Sequence, residues 1–287
     1  MKLLRYGEPG AEKPGMLDGE GNIRDLSGAV GDIDGRSLAP AALAGLRRLD
    51  AARLPLVAGA PRLGPCVARP GKFIGIGLNY ADHAAETNSP IPQEPVIFMK
   101  ATSALSGPND PIVQPRDSTK LDWEVELAFV IGTECRYVDE TEGAAAIAGY
   151  FICNDVSERA FQIERGGQWD KGKGCDSFGP IGPWLVTADE VADTGNLHMW
   201  LEVNGHRYQN GSTRTMLFKP AFLVSYLSAF MSLQAGDIVT TGTPPGVGLG
   251  QKPPKYLQTG DRVRLGIDKL GQQQQLVVGY SADPRSR

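Results

Sequence analysis

The chain has 287 residues, of which 41% are hydrophobic and 22% charged, and its formal net charge is −4. These proportions are ordinary for a globular protein and argue against intrinsic disorder, and the length allows one large domain or two unequal ones. The slightly acidic balance gives no electrostatic reason to expect nucleic acid or an anionic membrane as a partner.

The first 65 residues predict a small α/β domain, with strands at 2–6 and 14–17 and an Ala/Leu-rich helix at 41–48. Residues 1–7 contain no apolar stretch long enough for a signal peptide, and the four cysteines form no CxxC pair. We therefore expect a cytoplasmic protein without a disulfide framework or a zinc cluster.

Residues 66–282 predict a larger, strand-rich domain, followed by a loose tail at 283–287. The 146–153 segment is ambiguous between helix and strand, although its β-branched and aromatic end favours a strand. Asn204-Gly205 is typical of a type I′ hairpin turn. The remaining predicted elements are a helix at 218–232 and strands at 73–76, 96–99, 124–131, 199–203, 206–209, 237–241 and 262–267.

The predicted strand at 124–131 begins with two acids, Glu124 and Glu126. Side chains alternate along a strand, so both acids point to one face, and the other positions make both faces largely apolar. Two adjacent buried carboxylates would repel each other and lose hydration, and a divalent cation would remove both problems. The alternative is a strand end whose acids face solvent, as most acids do.

Asp155 follows the apolar run 148–153 and opens a polar, helix-like segment at 156–165. With Glu158 three residues later it fits a helix N-cap with a capping box. It could equally be a third carboxylate ligand, and the two roles are compatible. Three carboxylates without a nearby histidine or thiolate suit a hard cation, Mg²⁺ or Mn²⁺.

His83 and Glu86 have the i, i+3 spacing that places both on one face of a short helix before Pro90. A carboxylate bonded to one imidazole nitrogen fixes the tautomer and raises the basicity of the other nitrogen. The pair is therefore a candidate water-activating dyad, and the alternative is an ordinary surface pair. His198 and His206 flank the predicted hairpin and are interpreted as structural.

Two glycine-rich stretches lack the features of nucleotide-binding loops. Gly75-x-Gly77 has no third glycine and is followed by a Pro-rich segment where a crossover helix should run. The 240–248 stretch, T-T-G-T-P-P-G-V-G, lacks the Gly-Lys-Ser/Thr of a phosphate loop. It is interpreted as a rigid loop that presents backbone N–H groups and the Thr243 hydroxyl.

Taken together, these motifs resemble the fumarylacetoacetate hydrolase family. They occur in the order N-Y-x-D-H-x-x-E, D-x-E-x-E-L, N-D-V-S-E-R, G-K and T-G-T-P-x-G-V-G, and the similarity covers about 72–279. The resemblance implies a mixed α/β, strand-rich fold: a β-sandwich roll as the C-terminal domain, a small, variable α/β N-terminal domain, and a homodimer.

The resemblance also implies roles for individual residues. Glu124, Glu126 and Asp155 would bind Mg²⁺ or Mn²⁺. His83, Glu86 and Lys173 would be catalytic. The residues implied to contact the substrate or support its site are Arg159, Gln162, Thr243, Lys100 and Tyr80. One departure stands beside the lysine: many relatives read G-K-S-F-D-T-F-C-P, whereas 172–180 reads G-K-G-C-D-S-F-G-P.

The implied reaction is hydrolysis of a 2,4-dioxo acid at its C3–C4 bond, giving pyruvate and a carboxylic acid through an enolate held by the metal. The segments R-G-G-Q-W-D-K-G-K-G and H-R-Y-Q-N-G-S-T-R-T-M resemble relatives labelled ureidoglycolate lyase and hydrolases of 2,4-diketo-3-deoxy sugar acids. Asn210 and Arg214 are candidates for contacts with sugar hydroxyls.

The sequence leaves four alternatives open. One is ureidoglycolate lyase, the label that some of these relatives carry. The same enolate chemistry also serves isomerases and decarboxylases of 2-oxo or 2-hydroxydienoate acids. A non-catalytic oxo-acid binder would need the metal but not the His83–Glu86 pair. A nicotinamide enzyme is disfavoured by the broken glycine pattern.

Overall fold

The computed structural model describes residues 1–86, 90–191 and 193–281. Its helices are α1 Pro40–Leu46, α2 Ala81–Glu86, α3 Glu140–Ala146, α4 Arg159–Ile163, α5 Asp170–Lys173 and α6 Pro220–Ser228. Its strands are β1 Lys2–Tyr6, β2 Lys13–Leu17, β3 Ile23–Asp25, β4 Phe73–Gly77, β5 Val96–Lys100, β6 Leu105–Ser106, β7 Ile112–Gln114, β8 Leu121–Asp122, β9 Val125–Ile131, β10 Ile147–Asn154, β11 Ser157–Glu158, β12 Gly179–Thr187, β13 His198–Val203, β14 His206–Ser212, β15 Ile238–Thr240, β16 Arg262–Ile267 and β17 Gly271–Gly279. The fold is therefore strand-rich mixed α/β, as the sequence predicts.

Two large sheets dominate the fold. Within the described residues, the first has ten strands in the order β3-β2-β1-β12-β10-β9-β15-β4-β5, with β6 beside β12. The second has the order β14-β13-β16-β17-β7, and its strands β16 and β17 pack on β9, β10 and β12. The N-terminal strands extend the first sheet, because Lys2 pairs with Val186 and Leu3 with Leu185. A domain boundary near residue 65 stays a prediction.

Strand β9 is buried on both faces, which confirms the prediction from its alternating pattern. Leu127, Phe129 and Ile131 belong to the hydrophobic core that includes the second sheet. Ala128 and Val130 face the other core, which includes side chains of the N-terminal region. A strand covered on both sides has no solvent-facing position, so any acid on it needs a compensating partner.

Several local predictions are confirmed, and two helices have narrower bounds than predicted. The 147–154 segment is a strand. Asn204 and Gly205 both have positive φ (52° and 80°), as a type I′ turn requires. The predicted helix at 218–232 is shorter and begins at Pro220, whose ring suits the first helical position. The segment after Asp155 starts as strand β11 rather than a helix.

The remaining sequence predictions concern the thiols, the tail and the membrane. All four cysteines are free, and three of them are buried. Over the parts of the chain that the structure describes, no helix is long and apolar enough to cross a membrane. The tail predicted at 283–287 lies outside the described residues.

Candidate active site

A cavity opens at the strand ends of the first sheet, where several segments predicted to be functional meet. Strand β9 runs antiparallel to β10 and β15, and β15 runs parallel to β4. The start of β9 therefore lies beside the ends of the other three strands. The described residues that line the cavity are Ile76, Gly77, Leu78, His83, Phe98, Glu124, Glu126, Asp155, Arg159, Gln162, Ile163, Trp169, Lys173, Gly242, Thr243, Val247 and Leu249.

Three carboxylates converge in this cavity. Oxygen atoms of Glu124, Glu126 and Asp155 lie within 4.8 Å of one another, and the residues are 5%, 1% and 0% exposed. The backbone N–H of Asp155 donates to the carbonyl of Glu124 at 2.9 Å, which fixes the two segments side by side. The alternative of a solvent-facing strand end is therefore wrong.

Three buried cations neutralise two of these acids. Lys173 Nζ lies 2.8 Å from Glu124 and 2.6 Å from Asp155, Arg159 lies 2.6 Å from Glu124, and Lys100 lies 2.5 Å from Asp155. Burial opposes the charge on Lys173, but Asp155 and Glu124 outweigh it and raise the pKa of the ammonium. Lys173 is therefore protonated at neutral pH.

Glu124 and Glu126 differ sharply in their electrostatics. Burial disfavours the Glu124 carboxylate, but Lys173 and Arg159 outweigh this and lower its pKa. Burial, followed by the charges of Asp155 and Glu124, raises the pKa of Glu126 well above its ordinary value. Glu126 accepts the N–H of Gly242 at 2.8 Å. Three convergent carboxylates, one of them short of positive charge, fit a divalent cation bound by oxygen ligands.

His83 lines the same cavity, and Glu86 lies beside it on the same helix, as the spacing predicts. His83 Nδ1 lies 3.2 Å from Glu86 Oε2, and His83 is 7% exposed, so the alternative of an ordinary surface pair is wrong. Glu86 accepts the N–H of Gly246 at 2.9 Å. A Cβ at Gly250 would lie 2.4 Å from Glu86 Cδ, so the 246–250 loop closes tightly over this carboxylate.

Asp122 connects these parts, and sequence reasoning gave it no role. Its carboxylate accepts the Arg159 Nε–H at 2.8 Å and the N–H groups of Gly248 and Leu249 at 2.6 and 3.0 Å. It thus joins the arginine that neutralises Glu124 to the loop that holds Glu86. The signal was present in the sequence, since Asp122 is the first acid of D-x-E-x-E.

Of the five residues implied to serve the substrate, three line the cavity: Arg159, Gln162 and Thr243. The other two do not. The fully buried Tyr80 directs its hydroxyl to Met199 Sδ. Lys100 lies behind Asp155 and donates to it and to the Lys173 carbonyl. Lys100 thus supports the site from behind, as one of the two implied roles allows, whereas Tyr80 is not among the described residues that line the cavity.

The capping interpretation of Asp155 is also wrong. Both of its carboxylate oxygens accept from lysine ammonium groups, whereas the cap of α4 is Glu158, which accepts the N–H of Ala160. Asp155 is thus turned toward the other acids and away from the helix.

Comparisons with known proteins identify the family of this chain. The family model described as fumarylacetoacetate (FAA) hydrolase C-terminal matches residues 72–278. A protein from Burkholderia multivorans named "Putative hydrolase" is 65% identical over 277 residues, which cover 96% of this chain and 98% of the relative. The chain belongs to the fumarylacetoacetate hydrolase family.

Solved structures of this family share the whole fold. Maleylpyruvate hydrolase from Sphingobium sp. SYK-6, in complex with manganese(II) and pyruvate, has a TM-score of 0.82 and 30% identity. A probable 2-hydroxyhepta-2,4-diene-1,7-dioate isomerase from Mycobacterium abscessus has a TM-score of 0.83 and 32% identity. Each similarity covers 98% of this chain and 100% of the other. The family thus includes proteins named as hydrolases and as isomerases.

The buried contacts of Asp122 lead to a stability prediction. Asp122→Asn is expected to lower the free energy of unfolding by roughly 3–5 kcal/mol, because an amide leaves Arg159 short of a buried counter-charge. Urea unfolding would measure the change. Asp189→Asn is the matched control, since Asp189 also pairs with an arginine, Arg47, but at the surface, where the loss should stay below about 1 kcal/mol. Equal losses in both variants would contradict the proposed role of Asp122.

Proposed function

We propose that this chain is a metal-dependent hydrolase that cleaves the C3–C4 bond of a 2,4-dioxo acid of the acylpyruvate type. The products would be pyruvate and a carboxylic acid. The observation that carries the proposal is that His83, paired with Glu86, lines the same cavity as the three buried carboxylates. A binding protein would need the carboxylates alone, whereas a base aimed into the same cavity serves a reaction with water.

Glu124, Glu126 and Asp155 would hold the cation, and we propose Mg²⁺ or Mn²⁺ because all three ligands are hard oxygen donors. The manganese complex of the maleylpyruvate hydrolase relative supports this choice. When bound, the cation would act as a Lewis acid toward the carboxylate and the 2-oxo group of the substrate.

The residues of the chain account for the proton transfers. His83, oriented by Glu86 at Nδ1, would take a proton from water at Nε2. The water oxygen would attack C4, and the C3–C4 bond would break with its electron pair passing to the enolate of pyruvate. Lys173 carries a positive charge on the cavity wall and would stabilise the negative charge that develops. The proton that His83 took from water would return to C3 and complete pyruvate, so one water is consumed per turnover and His83 is left neutral again.

The test is pyruvate release from a panel of 2,4-dioxo acids with Mg²⁺, with Mn²⁺ and with a chelator. We expect metal-dependent release of one pyruvate and one carboxylic acid from at least one panel member. Absence of pyruvate from every member, with folded and metal-loaded protein, would overturn the hydrolase proposal.

A second candidate is isomerisation or decarboxylation of a 2-oxo or 2-hydroxydienoate acid. The similarity to the Mycobacterium abscessus isomerase favours it. The two candidates separate on product analysis, because isomerisation consumes no water and yields one product of unchanged mass. Ureidoglycolate cleavage belongs in the same assay as a third substrate, although that compound has no C3–C4 diketone to hydrolyse.

A further inference from the structure

The described residues that line the cavity fall into two chemical sets. The polar set comprises the three carboxylates, His83, Arg159, Lys173, Gln162 and Thr243. The apolar set, here called the apolar wall, includes Ile76, Phe98, Ile163, Trp169, Val247 and Leu249. The two sets meet at Phe98, since Lys173 Nζ lies 5.1 Å from the centroid of its ring. Gln162 accepts from Arg159, and the Thr243 hydroxyl donates to the Val125 carbonyl, so both polar side chains already have protein partners.

Trp169 packs closely against other residues that line the cavity. Its ring centroid lies 5.6 Å from that of Phe98 in a tilted arrangement. A Cβ at Gly77 would lie 2.4 Å from Trp169 Cζ3, so only glycine at this position lets the indole lie against the backbone. The carbonyl of Trp169 accepts the N–H of Lys173 at 3.1 Å. The indole and the cavity lysine therefore belong to one turn.

Arg159 and Lys173, which line the cavity, both form ion pairs with carboxylates of the protein. Arg159 pairs with Asp122 and Glu124. Lys173 pairs with Glu124 and Asp155. A second carboxylate held against Trp169 and Phe98 would meet hydrocarbon, and it would lose hydration there without gaining a paired charge.

The residues considered for sugar contacts also lie elsewhere. The Asn210 carboxamide oxygen is 2.7 Å from His198 Nε2 on the exposed face of the hairpin. Arg214 is exposed, and neither residue is among the described residues that line the cavity. The apolar wall offers little to replace the water that a polyol would lose on entry.

We infer that the acyl group of the substrate is neutral and apolar, an aromatic ring or a branched alkyl chain held against Trp169 and Phe98. This inference rests on the proposed function, because the reaction defines which end of the substrate is the acyl end. It sets this chain apart from a relative whose name specifies a 1,7-dioate, since a dioate carries a second carboxylate. Trp169 and Ile163 are the specificity-determining residues.

The first experiment compares kcat/KM for benzoylpyruvate, acetylpyruvate, maleylpyruvate and a 2,4-diketo-3-deoxy sugar acid. We expect benzoylpyruvate to exceed maleylpyruvate and the sugar acid by at least about tenfold, the scale on which apolar pockets discriminate. A higher value for maleylpyruvate or the sugar acid would overturn the inference while leaving the hydrolase proposal intact.

A binding measurement covers the case in which no panel member is cleaved. Calorimetry would compare phenylpyruvate with 2-oxoglutarate, two 2-oxo acids that differ in a phenyl or carboxylate end. Roughly tenfold tighter binding of phenylpyruvate would support the apolar pocket even if the hydrolase proposal fails. Tighter binding of 2-oxoglutarate would overturn the inference.

Two variants test whether Trp169 and Ile163 determine the preference for an apolar acyl group. Trp169→Ala should lower the ratio of kcat/KM for benzoylpyruvate to that for acetylpyruvate by about tenfold. Ile163→Arg places a cation at an exposed position of the wall and should raise the relative affinity for 2-oxoglutarate. Phe230 is an exposed aromatic residue outside the cavity, so Phe230→Ala is the control. It should change neither the kcat/KM ratio of benzoylpyruvate to acetylpyruvate nor the affinity ratio of 2-oxoglutarate to phenylpyruvate. Unchanged ratios in both cavity variants would contradict the assignment.

Discussion

Glu126→Gln and Glu124→Gln are each expected to lower metal-dependent turnover by roughly 10³-fold. Each change removes one of three charged oxygen ligands, and a catalytic cation contributes several kcal/mol of charge stabilisation. Calorimetric titration with Mn²⁺ should show weaker binding to both variants. Turnover by either variant at the wild-type rate would exclude the carboxylates as metal ligands.

The same two substitutions should have opposite effects on stability when a chelator is present. Glu124 is the partner of Lys173 and Arg159, so Glu124→Gln is expected to cost about 2–3 kcal/mol of unfolding free energy. Glu126 accepts the N–H of Gly242, and burial followed by the charges of Asp155 and Glu124 raises its pKa. Glu126→Gln keeps an acceptor for that N–H and removes a poorly compensated charge, so it should be neutral or stabilising.

This pair of variants is a matched test because the two carboxylates are two positions apart in the chain and converge in the same cavity. Thermal unfolding in chelator measures the sign directly. A loss of similar size in both variants would show that the two carboxylates are equally well neutralised without metal, and would remove the electrostatic argument for a cation site. Restoring Mn²⁺ should stabilise the wild-type chain more than either variant.

Much of the strand pattern could be predicted because it is local. The alternation along β9 indicated burial on both faces, and Asn204-Gly205 indicated the hairpin turn. The pairing of β1 with β12 could not be predicted in this way, since residues 2 and 186 meet only through the tertiary fold. Periodicity describes which faces are buried and leaves open which strands become neighbours.

The site was predictable where a motif carries the chemistry. Glu124, Glu126 and Asp155 were identified from residue type and order, but Asp155 also satisfied a local capping rule. Only the fold decides between those roles, because the lysines that engage its oxygens come from other elements, β5 and α5. Glu158, the second acid of the supposed capping box, caps α4 instead.

The apolar half of the site gave almost no signal. Trp169 stands in the stretch E-R-G-G-Q-W-D, whose composition indicates an exposed polar loop. Its packing on Gly77 depends on a contact between segments far apart in sequence. Asp122 was visible as part of D-x-E-x-E, yet its function as a junction depends on loop N–H groups, which no side-chain pattern encodes.

His83→Ala is expected to reduce kcat by about 10²–10⁴-fold, the usual contribution of a positioned general base. The variant should still bind Mn²⁺, since His83 is not among the three convergent carboxylates. Pyruvate release and calorimetric metal binding would be measured on the same preparation. Retained turnover would eliminate His83 as the base and move the proposal toward a reaction that needs no activated water.

Glu86→Gln separates orientation from base strength. An amide can still contact His83 Nδ1 and accept the Gly246 N–H, but it does not stabilise an imidazolium as a carboxylate does. We therefore expect a smaller loss than in His83→Ala, roughly 10–10²-fold in kcat with little change in KM. His198→Ala is the control, because that exposed histidine pairs with Asn210 outside the cavity and should leave kcat unchanged. A larger effect from Glu86 than from His83 would reverse the assignment and make the glutamate itself the base.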